Sequence, residues 1–153
     1  MPTRSTKNQP TAFQPVDLEA KRLVRDTVEL CSAIPKWERY PFTERALTQA
    51  HDAGLAINRA CRIYDLQSKV LQLRKACGNL DDLRYTIEVI MTAELVATER
   101  KVPWDERYLE VRRQVALLLN SLQDRLRTIP SREAESAAGS CGATSNKKDA
   151  PSH

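Results

Sequence analysis

The sequence predicts an all-α protein, an antiparallel up-down-up-down four-helix bundle between disordered N- and C-terminal tails. Three observations predict it. Only four of the 153 residues are glycine, and two of these, Gly139 and Gly142, sit in a polar C-terminal stretch, so tight turns are few. Apolar residues between positions 16 and 130 recur at spacings of three and four, the period of a helix face. No stretch of useful length alternates with the period of two that a half-buried strand needs.

Three regions follow. Residues 1–15 are rich in Pro, Thr and Gln and read as a disordered N-terminal segment. Residues 16–130 carry the helical pattern and form the bundle. Residues 131–153, which open with Ser-Arg-Glu-Ala-Glu-Ser-Ala-Ala-Gly, are small and polar and read as a disordered tail.

The first helix is expected to begin near Asp17, a suitable N-cap, and to bury Leu23, Val24, Val28, Cys31 and Ile34. Pro35 stops it, because the residue before a proline is driven out of the helical region. Residues 35–42 read as a linker, with Thr43 capping the second helix. Leu47, Ala50, Gly54, Ile57, Cys61 and Tyr64 then form a heptad-like seam, on which Gly54 would admit a close neighbour.

The third helix starts between Asp65 and Ser68 and runs through Val70, Leu73, Cys77, Leu80, Leu83, Ile87 and Ile90. It is read as continuous across Gly78-Asn79 and as ending near Ala97 or Thr98. Residues 99–102 connect it to a fourth helix. There Pro103 suits the first turn, and Asp105 and Glu106 suit the positive helix end. Tyr108, Val111, Val115, Leu118 and Leu122, followed by Arg125 or Leu126, keep the period until Pro130. One stripe per helix, joined by short connections, is most simply buried in a four-helix bundle.

The residues offer little for catalysis. The sequence lacks a phosphate-binding glycine loop, a nucleophile elbow and a Glu-x-x-His pattern. His51 stands beside Asp52, one position from the seam, where a half-exposed surface histidine is the ordinary reading. Asp81 and Asp82 are adjacent and so point to different helix faces. The cysteines at 31, 61, 77 and 141 have no Cys-x-x-Cys spacing, and with only two histidines a zinc site is not expected. Cys31, Cys61 and Cys77 read as reduced thiols of a cytoplasmic protein. Neither a secretory signal nor a membrane span is expected, and neither a cofactor nor a metal.

The charge is more informative. The net charge is +4, and residues 17–130 hold 19 basic against 17 acidic residues. Fourteen of those 19 are arginine, whose planar fork suits phosphates. Local groups place Arg22 with Arg25, Arg59 with Arg62, Arg74 with Lys75 and Arg112 with Arg113. These eight are the candidate nucleic-acid-binding residues, although interleaved acids such as Asp26, Glu29, Asp65 and Glu110 offer partners of their own.

Two segments carry a resemblance. Ile34-Pro35-Lys36-Trp37-Glu38-Arg39-Tyr40 resembles the hydrophobic-Pro-Lys-x-Glu-Arg-aromatic link between helices one and two of a bacterial four-helix-bundle superfamily. Ala76-Cys77-Gly78-Asn79-Leu80-Asp81-Asp82-Leu83 resembles its Ala-x-Gly-Ser-Leu-x-Glu-Leu signature on helix three, with Asn79 and Asp82 in place of Ser and Glu. The superfamily holds the 23S rRNA intervening-sequence proteins and the accessory variability determinant (Avd) proteins of diversity-generating retroelements. Residues 54–61 lack the Glu-Gly that marks the intervening-sequence branch, so the chain is more similar to the Avd branch.

That resemblance implies a homopentameric ring without catalytic activity. Such a ring binds a reverse transcriptase and its template RNA or cDNA, with little sequence preference, to support mutagenic reverse transcription. The alternative is an oligomeric structural bundle of the intervening-sequence type with no nucleic-acid role.

Overall fold

A computed structural model of the chain describes residues 13–128; expectations for residues 1–12 and 129–153, Cys141 among them, lie outside the described residues. Four helices follow one another: α1 (Phe13–Ser32), α2 (Lys36–Arg62), α3 (Leu66–Thr92) and α4 (Thr98–Arg127). No strand occurs among the described residues.

Side-chain pairs between helices fix the topology, because in each pair of helices one residue number rises as the other falls. Gly54 lies against Val24 while Asn58 donates to Asp17 Oδ1 at 3.2 Å, so α2 runs antiparallel to α1. Lys69 donates to the Ala60 carbonyl at 3.3 Å and Thr86 to Gln49 Oε1 at 2.7 Å, which reverses α3 against α2. Tyr108 donates to the Leu80 carbonyl at 3.0 Å and Arg112 to Cys77 Sγ at 3.0 Å, which reverses α4 against α3. Diagonal helices make no backbone contact, so the four form a ring around one core.

The core differs in detail from the expected seams. In α2 the buried stripe is Ala46, Ala50, Ala53, Ala56, Ile57 and Ala60, while Leu47 and Cys61 are half-buried. Small side chains on the inner face let the flanking helices approach. Tyr64, expected on that seam, is 97% exposed in the turn after α2. In α1 the expected Val28 is 47% exposed and Thr27 is buried instead. The threonine is tolerated because its hydroxyl donates to the Leu23 carbonyl at 2.8 Å and accepts from Trp104 Nε1 at 2.9 Å. The α3 pattern holds except at Cys77, which is half-buried beside the buried Ala76, and the helix is continuous through Gly78-Asn79.

Helix ends show the largest departures. α1 begins at Phe13, so Asp17 lies inside it and pairs with Lys21 at 3.1 Å instead of capping. α2 starts immediately after Pro35, and the expected linker is its first two turns; Thr43 lies within the helix, its buried hydroxyl making no hydrogen bond among the described residues. Asp65 does cap α3, its Oδ2 accepting from the Ser68 amide at 2.9 Å.

α3 stops at Thr92, five residues early, because Glu94 adopts a left-handed φ of 56°. The Glu94 amide then donates to the Met91 carbonyl at 3.0 Å and the Leu95 amide to the Ile90 carbonyl at 3.2 Å. This is the Schellman ending, with a glutamate where glycine is usual. α4 starts at Thr98, so Pro103 is its sixth residue, as Pro41 is the sixth of α2. Each proline removes the hydrogen bond to the carbonyl four residues back, that of Trp37 and of Glu99.

The ring closes where α4 meets α1. Trp104 is 2% exposed, bonded to Thr27 and stacked on Tyr108 with ring centroids 5.1 Å apart. Leaving the buried indole N–H without its acceptor would cost about 1–3 kcal/mol. One turn away Arg107 spans two acids of α1, donating from Nη1 to Glu19 Oε1 at 2.7 Å and from Nε to Asp26 Oδ2 at 2.9 Å. These bonds hold Arg107 above its usual value, the Asp26 bond first, and the Arg107 bond is the main cause that holds Glu19 below its usual 4.5.

Two expectations follow. A Cβ on Gly54 would meet Val24 Cγ2 at an ordinary 3.8 Å, and one on Gly78 would meet nothing within 4 Å, so neither close approach nor backbone conformation requires glycine. Gly54→Ala and Gly78→Ala should each raise stability by about 0.5–1 kcal/mol in urea melts, through helix propensity. A carboxyl whose folded value is depressed adds stability that is present above its unfolded value and lost as pH falls through the folded one. Arg107→Gln should therefore be destabilised at neutral pH, and its deficit should narrow as pH drops below 4.5, measured by the same melts across the acid range.

Candidate nucleic-acid interface

The eight candidate cations divide into two sets. On α1, Arg22 donates to Glu19 Oε2 at 2.8 Å, and Arg25 donates to Asp26 Oδ1 from Nη2 at 3.0 Å. On α4, Arg112 donates to Cys77 Sγ and, at 3.2 Å, to Asp81 Oδ1. Arg113 forks onto Glu110, with Nη2 to Oε2 at 2.6 Å, which draws the Glu110 carboxyl below its usual value. These four already have carboxylate partners, and the interleaved acids explain why.

Arg59 and Arg62 on α2, with Arg74 and Lys75 on α3, are all exposed on the outer surface. None has a carboxylate within ion-pair reach among the described residues. The antiparallel register puts all four in the half of the bundle that holds the α2–α3 turn.

Charge is unevenly distributed along the α3–α4 face. The N-terminal half of α3 (66–79) and the C-terminal half of α4 (113–127) lie at the same end and together hold six basic residues and one acid, Asp124. Their other halves, with the connection between them (80–112), hold five basic and eight acidic residues. At the basic end α3 and α4 leave an open groove of about 430 Å³, lined by Gln67, Val70, Leu71, Arg74, Gln123, Leu126 and Arg127.

Other candidates take ordinary places. His51 is exposed, 3.8 Å from Asp52. Asp81 serves Arg112, and Asp82 is exposed. Cys31 is buried, and burial raises the Cys61 thiol to about 11, far from a reactive thiolate. No cluster of three His, Cys, Asp or Glu suited to a metal occurs among the described residues, and no helix there is long and apolar enough to cross a membrane. Sequence reading missed Trp104 and Arg107. Trp104 stands four residues before Tyr108 on the α4 stripe, a signal that extending the stripe backwards would have found.

The two motif segments prove to be structural joints. Ile34 is buried, Pro35 is the extended residue that starts α2, and Trp37 is 81% exposed. In the second segment Ala76, Leu80 and Leu83 are buried, while Cys77, Leu80 and Asp81 accept the bonds from α4.

No protein-family model matches the chain, and no curated protein matches it. Its fold is similar to that of a solved structure from Bacteroides thetaiotaomicron, described as a protein with unknown function from the S23 ribosomal protein family. The TM-score is 0.66 and the identity 13%, over 71% of this chain and 98% of that one. At that identity the likeness establishes the four-helix fold and nothing finer.

Proposed function

We propose that this chain is a non-catalytic accessory subunit that binds RNA or DNA with little sequence preference. Its role would be the one the Avd-like resemblance implies: a cytoplasmic homopentamer that joins a reverse transcriptase to its template RNA and cDNA in a diversity-generating retroelement. The observation that carries the reading is the set Arg59, Arg62, Arg74 and Lys75, exposed in one half of the bundle without acidic partners among the described residues. Cations that serve no internal pair are the ones that can neutralise phosphates and release their counterions. Contacts to phosphate position a strand without reading its bases. Symmetric assembly would repeat a modest patch around a ring, which makes up for the small charge of each copy.

A structural bundle without a nucleic-acid role is the second reading, favoured by Leu71, Tyr85, Leu109 and Leu117, which are 56–70% exposed on α3 and α4. Leu55, Val89 and Leu119, which stand outside the expected seams, are half-buried and add less to such a surface.

Two measurements test these readings. In anisotropy titrations with unrelated oligonucleotides, affinity should fall with salt. Replacing Arg59, Arg62, Arg74 and Lys75 by Gln should flatten the slope by about 0.7 for each phosphate no longer neutralised. The same change at Arg22, Arg25, Arg112 and Arg113 should do less, because those groups are held by acids. Absence of binding at low salt, or equal effects of the two sets, would favour the structural bundle. Light scattering should give a fivefold multiple of the 17.3 kDa chain, and a clean monomer at micromolar concentration would remove the ring.

A further inference from the structure

The contact between α3 and α4 is the least extensive of the four in the ring, and it opens into the groove at the basic end. Val70, Leu71 and Leu126 give this groove an apolar lining, with Leu71 62% exposed. Arg74 and Arg127 flank it. Arg74 has no carboxylate partner among the described residues, and the Arg127–Asp124 pair is 74% and 69% exposed, so it holds its guanidinium weakly. No aromatic side chain among the described residues lines the groove, so these residues offer nucleic-acid bases nothing to stack on.

The complementary surface is on the same chain. Val102, Glu106 and Leu109 are spaced four and three apart along one stripe of α4, and all three are exposed, Val102 at 54% and Leu109 at 62%. Glu106 has no ion-pair partner among the described residues. This stripe lies in the N-terminal half of α4, away from the groove; residues 98–112 hold four acids and four basic residues, and Glu106 stands between the two apolar anchors.

We propose that the α3–α4 groove of one copy receives the Val102–Leu109 stripe of a second copy. Leu109 and Val102 would cover Val70, Leu71 and Leu126, while Glu106 faces Arg74 and Arg127. A helix presenting anchors at such spacings is the usual occupant of an apolar groove. Glu106 of one molecule then meets the two arginines that flank the groove of the next, which sets the register. Because groove and stripe are different surfaces, every copy can both receive and donate, as a ring or a filament requires. The inference rests on the assembly part of the proposed function and deepens it; it shares Arg74 with the proposed phosphate contacts, so assembly mass and oligonucleotide binding are read separately.

Light scattering against concentration tests it on the full chain, with circular dichroism confirming helix content. Leu71→Ser and Leu109→Ser alter exposed positions and should keep the fold. Each should raise the concentration for half-assembly about tenfold or more, as reduced apolar burial dictates. Leu18→Ser, exposed on α1, should leave it unchanged. Arg74→Glu should weaken assembly, and adding Glu106→Arg should restore it by exchanging the charges. Three results would overturn the proposal: a wild-type monomer, an oligomer insensitive to both serine variants, or failure of the charge exchange to restore mass. Oligonucleotide binding abolished by Leu71→Ser at unchanged mass would assign the groove to nucleic acid and overturn it as well. An oligomer that ignores these variants would still leave the ring reading standing, so the two fail separately.

Discussion

Everything in this bundle depends on the contact between the first helix and the last. Three short connections bring α1 to α2, α2 to α3 and α3 to α4 with little loss of chain entropy, but only α4 lying back on α1 shuts the core from water. That contact brings residues about eighty positions apart together and is specified by polar geometry as well as apolar area. Trp104 buries its ring and needs one acceptor, which Thr27 supplies; Arg107 reaches two carboxylates that α1 presents two turns apart. A bundle rotated by one residue would leave the indole and the guanidinium without their partners, so these bonds select one register among many that would bury similar area.

The same closure decides which cations face outward with capacity to spare. Glu19 serves both Arg22 and Arg107, and Asp26 serves both Arg25 and Arg107, so acids of α1 are committed to holding the ring shut. Likewise Asp81 ties α4 to α3 through Arg112. Of the arginines left over, Arg59, Arg62 and Arg74 lie in the half of the bundle away from most acids of the α3–α4 face, while Arg45 and Arg100 lie at the other end.

Helix number, order and the α3 and α4 stripes were legible in the sequence, because a period of three and four persists across many residues. Boundaries were not, for three physical reasons. Proline was read as a stop or a first-turn residue, whereas Pro41 and Pro103 each sit six residues into a helix. The end of α3 carries no glycine, since Glu94 takes the left-handed position that glycine normally announces. In α2 alanine carries the buried face, and alanine is too common on outer faces to mark one, so the larger Leu47 and Tyr64 were chosen in its stead. For the candidate site, pairing between neighbours such as Arg113 and Glu110 was foreseeable from spacing. The Arg107 clamp and the α3–α4 groove were not, because both depend on which helices become neighbours across the ring.

The two prolines share a further property. α2 and α4 both start at the end of the bundle away from the basic groove, so both missing amides weaken the same end. A helix turn short of one backbone bond opens by fraying at less free energy than one with its ladder complete, and hydrogen exchange there proceeds through such small openings rather than through global unfolding. Amide protons should thus be graded along the long axis, exchanging early around the starts of α2 and α4 and late around Asp65, where a side-chain cap closes the turn. Fraying of those first turns stops at Trp104, whose buried ring and bond to Thr27 hold α4 on α1.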